Sequence, residues 1–476
     1  MITADEILAL SLTDLSGLLS ARKLSSLEVM EATLARLERL EKRLNAFITV
    51  LPEQSLLAAK TADEEIARGR YRGPLHGVPV SIKDMFETAG VSTTGGSKIL
   101  AEWVPTTDSA LVERLKDSGA IVFGKTNLDE FGHGGTSTLS HFGPVHNPWN
   151  VERIAGGSSG GAAAAVAAGI GPLAYGTETG SSVRRPASYC GITGFKPTYG
   201  IISRHGSFRG AWSQDHVGLF TRSVRDIVLG LDAVAGFDPR DPGSVHQESP
   251  TYTAQLHSKV KGLKLGVLRR FLEGVNPEVH QAFNEALGIF AGIGMEIVDL
   301  DVPEIRYAAM TSTMLSAGES AGYNRHWFRE KYHDFVPHVS RGLAAGMTIT
   351  ASEYLTVQCA RYRIREALLA AFKSVDVIAS PTTARVAPLL SEGLKGNGDD
   401  TRHAGYNQSN LLRFPSMLGL PACSLPCGAD SEGLPIGLQL IGEWFGDQIV
   451  LNAACAYQNI TDWHTRRPPV TGTAAP

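Results

Sequence analysis

The sequence predicts an α/β protein whose central, mostly parallel mixed β-sheet is covered by helices on both faces. Three observations carry that expectation. "ALVERLKDSGAIVFGK" (110–125) sets an amphipathic helical pattern directly before an apolar run with β-branched and aromatic residues, the alternation of an open α/β sheet. "NPEVHQAFNEALGIFAGIGMEIVDLD" (276–301) repeats the helix-then-strand order. Near the C-terminus, "VDVIASPTT" (375–383), "ACSLPCG" (422–428) and "IGLQLIG" (436–442) are short apolar runs punctuated by Pro and Gly, and read as further strands.

Along the chain, "SSLEVMEATLARLERLEKRLNAF" (25–47) reads as a helix. Ser25 and Glu28 form a capping box, and Leu27, Met30, Leu34, Leu37, Leu40 and Leu44 line one face. "VPVSI" (78–82) is a strand that ends at Lys83 and Asp84. From Gly160, "GGAAAAVAAGIGPLAYGTETG" gives an Ala-rich helix with room only for close neighbours, then a strand, then a glycine loop. Residues 237–260 are rich in Pro, Asp and Ser and mark a surface connection, and "GLKLGVLRRF" (262–271) restarts a strand. Helices follow around Met314–Tyr332 and Ala351–Phe372, and the Pro/Thr-rich tail after Trp463 is expected to be loose. There is no internal repeat. The expected organisation is one domain over 1–476, with a helical segment at about 1–65 packed on it and a variable middle region at about 240–345.

Composition narrows the function. With 476 residues, 43% of them hydrophobic and 19% charged, the chain has material for a large core. A net charge of -4 and the absence of a basic run leave no footprint for direct nucleic-acid binding. Five scattered cysteines suit a reducing compartment, the N-terminus lacks a basic signal region, and Ala162–Tyr175 is too short for a bilayer span of ~20 residues. A cytoplasmic protein without membrane contact is expected.

Three motif matches compete for the chemistry. "GAIVFGKT" (119–126) fits the P-loop pattern, but Ala-Ile-Val-Phe is a buried strand rather than a bent nest of amides around phosphate. "GGSSG" (156–160) fits the nucleophile elbow of α/β-hydrolases, which would make Ser158 an esterase nucleophile, yet the preceding "NPWNVERIA" is loop-like where that elbow requires a strand. His133, His141 and His146 match no metal-ligand spacing. No metal or other cofactor is expected.

"GVPVSIKD", "GKTNLDEF", "NPWNVERIAGGSSGGAAAAVAAG", "GTETGSSVRRPASYCGITGFKPTYG" and "GLPIGLQLIG" together resemble the amidase signature family of serine hydrolases, closely over about 70–220 and again over about 350–445. The resemblance implies the amidase signature fold and a catalytic set of Lys83, Ser158 in a cis peptide after Gly157, and Ser182 as nucleophile. It resolves the lack of a histidine beside the serines: a buried lysine loses its charge, because desolvation disfavours the ammonium, and can then draw a proton from Ser182 through Ser158. An acyl-enzyme would follow. The backbone N–H groups of Thr179, Gly180, Ser181 and Ser182 would hold the oxyanion, each such donor typically being worth about 3 to 4 kcal/mol of barrier. Two positions depart from the family's usual Gly-Thr-Asp-Thr-Gly-Gly-Ser: Glu178 replaces Asp, still able to pair with Arg184, and Ser181 replaces Gly, a second hydroxyl beside the nucleophile.

The same resemblance offers two functions. One is a stand-alone amidase, monomeric or homodimeric, cleaving small aryl or apolar carboxamides, with esters and carbamates (urethanes) as further substrates. It is favoured because Ser409 stands where glutaminase subunits of the family carry an aspartate; small, charge-poor stretches at 131–137 and 204–216 suit an aryl or apolar amide, and from them Gly132, His133, Gly134, Phe208, Arg209 and Trp212 are candidate substrate contacts. The other is the glutaminase subunit of a tRNA-dependent amidotransferase, working with partner subunits; Ser409 aligns where such subunits carry an aspartate for the glutamine amino group.

Overall fold

In the computed structural model, which describes residues 2–208, 210–246, 251–394 and 405–472 (for 405–408 the backbone alone), eleven strands bond into one sheet. They are β1 (Phe47–Val50), β2 (Pro79–Lys83), β3 (Ile121–Thr126), β4 (Leu173–Glu178), β5 (Thr193–Lys196), β6 (His216–Thr221), β7 (Lys264–Val267), β8 (Glu296–Asp299), β9 (Val377–Pro381), β10 (Ala422–Ala429) and β11 (Pro435–Gly442). Their order is β1-β3-β2-β4-β6-β5-β10-β11-β9-β7-β8.

The sheet is mixed, and connection type decides which ladders are parallel. β3-β2-β4 and β9-β7-β8 pair in parallel. Helices Ala110–Asp117, Gly160–Ala167 and Pro277–Gly292 lie between strands of these groups in sequence, as parallel crossovers require. From β4 through β6, β5, β10 and β11 to β9 the ladders are antiparallel. The expected parallel pairing therefore holds within these two flanking groups, while β1 joins β3 antiparallel at one edge and the middle is antiparallel and includes the β10–β11 hairpin.

Central strands β2, β6, β9 and β11 are buried along their whole length, the mark of a sheet covered on both faces. The helix Ser26–Leu44 begins at the expected capping box: the Glu28 N–H donates to Ser25 Oγ at 3.1 Å and the Ser25 N–H to the Glu28 carboxylate at 2.8 Å. Its Met30, Leu37, Leu40 and Leu44 pack in one cluster with the Ala-rich helix Gly160–Ala167, every residue of which is buried. Small side chains let that helix lie against β3 and hold the preceding Ser158 near the end of β2.

Two expectations change. The middle region holds three helices, Ala308–Glu330, Pro337–Met347 and Ala351–Phe372, where the sequence suggested two. The tail is docked as far as it is described, because Val470 joins the cluster of the Ala-rich helix and Thr471 is buried beside it. Among the described residues no helix is long and apolar enough to cross a membrane.

Candidate active site

Lys83 closes β2, whose parallel neighbour β4 brings Thr177 alongside. The lysine is fully buried; its Nζ donates to Ser158 Oγ at 2.7 Å and to Thr177 Oγ1 at 2.8 Å. Burial drives the amine down to about 7, outweighing the opposite pull of Asp129, Asp215 and Glu178.

The Ser158 loop is fixed from beneath by Asp129. Its carboxylate accepts the N–H groups of Ser137 at 2.9 Å, Leu139 at 3.1 Å and Thr136 at 3.2 Å. Ser137 Oγ in turn donates to the Ser158 carbonyl and accepts the Gly160 N–H. The Gly157–Ser158 peptide is cis, as the resemblance implied. Gly157 is demanded by crowding, since a Cβ there would stand 2.6 Å from Ser137 N and 2.7 Å from Thr136 N.

The loop after β4 is braced by a buried ion pair. Arg184 Nη2 lies 2.5 Å from Glu178 Oε1, while Glu178 Oε2 accepts the N–H groups of Val183 and Arg184 at 2.9 and 3.1 Å. Arg184 also donates to the Gly180 and Leu412 carbonyls, and Ser416 Oγ donates to Glu178 at 2.5 Å, so the helix Gly405–Leu418 shares the brace. Burial alone would raise the Glu178 carboxyl; Arg184, then Lys196, holds it below the usual range. The longer side chain thus fills the pairing role expected of it. Among the described residues the N–H groups of Gly180, Ser181 and Ser182 donate to nothing, and Ser182 Oγ makes no hydrogen bond.

These groups face a cavity of about 330 Å³. One side is the Gly132–Thr136 turn and the Thr179–Ser182 loop; the other comes from Thr313, Ser316, Ala317 and Ser320 of Ala308–Glu330 and from His338, Val339 and Leu343 of Pro337–Met347. Glu130 ties the two sides together, accepting from Ser97 Oγ at 2.6 Å and from the Val336 N–H at 2.8 Å, while Phe131 stacks on Trp327. Gly132, His133 and Gly134 line the cavity as expected, and burial, with His338 and Lys83 nearby, pushes the His133 imidazole down to about 4. Phe208 lines a smaller adjoining pocket with Met85 and Asp215. Trp212 lines neither: the residue is 43% exposed, and its carbonyl is engaged by Tyr199 and Arg204. Arg209 lies outside the described residues.

Sequence reasoning missed Thr177, His338, Arg185 and Arg413, the last two also lining the cavity. The charge-poor lining expected for apolar amides is therefore corrected by two guanidinium groups that arrive from helices Arg184–Cys190 and Gly405–Leu418. The helical wall did leave a signal, small residues at 313, 316, 317 and 320 on one face. The P-loop match is strand β3, and its Lys125 Nζ sits 3.1 Å from the buried Asp84 carboxylate. His146 is spent on the Val151 carbonyl, and among the described residues no three His, Cys, Asp or Glu side chains gather as a metal site. Among the described residues Ser158 touches a lysine and no histidine, so the esterase alternative lacks the histidine base that a nucleophile-elbow triad uses.

Residues 28–451 match the Amidase family. The chain is 39% identical to a glutamyl-tRNA(Gln) amidotransferase subunit of Geobacter sp. (strain M21), an alignment covering 98% of this chain and all of that one. Among solved structures, the corresponding glutamyl-tRNA(Gln) amidotransferase subunit of Thermotoga maritima superimposes with a TM-score of 0.79 at 29% identity, covering 98% of this chain and 96% of that one. A 6-aminohexanoate cyclic dimer hydrolase bound to its substrate reaches 0.88 at 27% identity, covering 98% and 99%.

These relatives overturn two expectations. Near-full-length identity of about 40% to amidotransferase subunits outweighs one aligned position, Ser409, and displaces the stand-alone aryl or apolar amidase, with its ester and carbamate side activities, as the main function. It likewise displaces the expectation of a monomer or homodimer whose sole partner is a small amide or carbamate and which meets no nucleic acid, because the relatives are named as subunits of an enzyme acting on a glutamyl-tRNA. Ser409 itself is buried, and its hydroxyl makes no hydrogen bond among the described residues. Family match, fold and near-complete alignment agree on one conclusion: the chain belongs to the amidase signature family of amidohydrolases.

Proposed function

We propose that this chain is the amide-cleaving subunit of a tRNA-dependent amidotransferase, releasing ammonia from glutamine for transfer within an assembly. The observation that carries the reading is the near-full-length identity to glutamyl-tRNA(Gln) amidotransferase subunits. In this reading Ser182 is the nucleophile, Ser158 the relay and Lys83 the base.

The neutral Lys83 amine takes the Ser158 proton while Ser158 Oγ takes the proton of Ser182, and Ser182 Oγ bonds to the amide carbon. The carbonyl oxygen, now an oxyanion, is met by the undonated N–H groups of Gly180, Ser181 and Ser182, with Thr179 completing the turn. Collapse of the tetrahedral species breaks the C–N bond, the proton held on Lys83 returns through Ser158 to the leaving nitrogen, and ammonia departs. Water then attacks the Ser182 ester by the same relay, giving the carboxylic acid and restoring the neutral lysine.

The test is to express a tagged chain in its native cell, isolate it under mild conditions, and measure both its companions and ammonia release from glutamine. Co-isolation of a defined partner and glutamine cleavage that the partner and a glutamate-charged tRNA stimulate are the expected results. A chain that isolates alone and leaves glutamine intact under all those conditions would end the reading.

A further inference from the structure

Glu178 closes β4, and Thr179 opens the turn whose N–H groups face the cavity. Successive residues at a strand end point to opposite sides, so the two side chains are fastened to different parts of the molecule. Glu178 meets Arg184 and Ser416 of the helix Gly405–Leu418. Thr179 meets the loop before β6, where its Oγ1 donates to Asp215 Oδ1 at 2.5 Å. Gly180 has no side chain, and among the described residues the Ser181 and Ser182 hydroxyls make no hydrogen bond. Thr179 therefore carries the one side-chain hydrogen bond formed by 179–182.

Asp215 is itself a fixed point. Its chain folds into a tight turn in which the N–H groups of Gln214 and Asp215 both donate to the Ala211 carbonyl at 2.8 Å. Its second carboxylate oxygen accepts the N–H groups of Gly210 and Ala211 at 2.8 Å, closing the side chain onto its own turn. That turn is bolted to the far wall of the cavity: the Gly210 carbonyl accepts from Ser320 Oγ, and Gln214 Oε1 accepts from Ser312 Oγ at 2.7 Å. Arg204 is paired with Asp241 and reaches only the Asp215 carbonyl, at 3.3 Å, so among the described residues the carboxylate forms no ion pair. Burial pushes the carboxyl up to about 6, against the pull of Thr179, the Ala211 N–H, Arg204 and the Gly210 N–H. The titratable groups around it are Lys83 at the end of β2, Arg204 on its own loop, the Tyr199 hydroxyl and the neutral His216 imidazole.

We propose that Asp215 is a positioning residue of the reaction: through Thr179 Oγ1 it holds the turn so that the N–H groups of Gly180, Ser181 and Ser182 converge on the oxyanion, and its charge favours the ammonium that forms on Lys83. Asp215 acts on the turn through Thr179 and on Lys83 through space. Donors aimed in advance at the oxyanion need no reorganisation when charge develops. A turn released at Thr179 should therefore lose transition-state stabilisation before it loses substrate binding. This inference rests on the Ser182 chemistry proposed above and is indifferent to which amide is cleaved.

The experiment treats the full chain, with any partner it carries, with a fluorophosphonate: Ser182 Oγ bonds to phosphorus, fluoride leaves, and the serine proton passes through Ser158 to Lys83. Intact-mass spectrometry follows the adduct, with S182A as the blank, and ammonia release from glutamine is measured alongside. T179V, which removes the hydroxyl but keeps the size and the backbone N–H, should slow phosphonylation at least about tenfold and lower kcat similarly, with KM within about threefold. T179S should return the rate to within about threefold of the parent. D215N should slow it at least about tenfold, and T179V/D215N no more than about threefold beyond the slower single variant, because both break one contact. The acid limb of the rate should move down by about half a pH unit or more in D215N, which loses a negative charge near Lys83, and stay in place in T179V. Purely structural damage would slow both without moving the limb. Labelling of T179V at the parent's rate, no rescue by T179S, additive losses in the double variant, or an unmoved limb in D215N would overturn the proposal; should D215N not fold, T179V and T179S decide it alone. A parent that does not label would remove the Ser182 chemistry and this inference with it, whereas labelling without glutamine cleavage would sink the amidotransferase reading and leave this one standing.

Discussion

Lys83 Nζ sits 2.7 Å from Ser158 Oγ and, among the described residues, forms no ion pair with a carboxylate. The other fully buried lysines each have at least one partner that can only accept. Lys125 lies 3.1 Å from the Asp84 carboxylate and donates to the Phe86 carbonyl, and Lys196 donates to the Pro197 and Leu420 carbonyls. Carbonyls and carboxylates only accept, which suits an ammonium. Hydroxyls can also donate into the lone pair of a neutral amine, and both partners of Lys83 are hydroxyls.

A neutral base gives a defined pH profile. With the amine held down to about 7, kcat/KM should fall about tenfold per pH unit below that value and level off above it. K83M should lose activity by several orders of magnitude across the whole range. A profile flat from pH 5 to 9, or substantial turnover in K83M, would remove Lys83 from the mechanism.

The same shift makes Lys83 a cost to folding. Its folded value lies below the ordinary 10.5, so between about 7 and 10.5 the unfolded chain holds a proton that the folded chain has released, and stability rises with pH through that window. Below it the penalty for burying the ammonium is complete. K83M should therefore be more stable than the parent by an amount on the order of a few kcal/mol at pH 6, narrowing towards pH 10. Urea denaturation at several pH values measures this, and a K83M protein less stable at pH 6 would contradict it.

Ser181 and Ser182 both line the cavity, so the nucleophile is decided by substitution. S182A should reduce kcat by several orders of magnitude while S181A, which keeps its backbone N–H, should retain activity within about tenfold. Intact-mass spectrometry during turnover should show an acyl adduct on the parent and on S181A but not on S182A. Loss of the adduct in S181A alone would exchange the two assignments.

What the sequence disclosed and what it hid divide along local and distant contacts. Lys83 at a strand end, Ser158 before an Ala-rich helix and Ser182 in a glycine loop each carry a local signature, because strand, cap and turn are decided by neighbours in the chain. The Ser25–Glu28 capping box was legible for the same reason. Arg413 meets Gly180 across 233 residues of sequence, and His338 reaches the cavity on a helix anchored by the Val336 N–H to Glu130. No window of neighbouring residues encodes such a wall. The antiparallel middle of the sheet was hidden likewise, since β5 and β10 pair across more than 220 positions.

The Glu178–Arg184 pair gives a stability test. Both groups are fully buried, and Glu178 accepts from two backbone N–H groups, the guanidinium and Ser416. Removing one partner strands the other charge without water, which typically costs about 3 to 5 kcal/mol. E178A should lower stability by that order and loosen the Thr179–Ser182 turn, so that kcat falls even in protein that remains folded. A denaturation midpoint equal to the parent's would show that the pair does not brace the loop.

Gly161 tests whether close packing of the Ala-rich helix places Ser158. A Cβ there would stand 2.5 Å from Asn127 O and 2.7 Å from Asn127 N, and the Gly161 N–H already donates to that carbonyl at 3.1 Å. These obstacles are backbone, which cannot rotate aside, so the helix start must retreat from the chain just after β3. Three residues earlier that movement reaches Ser158, whose 2.7 Å contact with Lys83 leaves little slack. G161A should destabilise by about 1 to 3 kcal/mol from overpacking and lower kcat at least tenfold. G288A is the control: it lies on an exposed helix face with nothing within 4 Å of its Cβ position, and should leave kcat unchanged while stabilising by about 0.5 to 1 kcal/mol. If G161A melts with the parent and keeps its rate, the helix does not set the position of the serine.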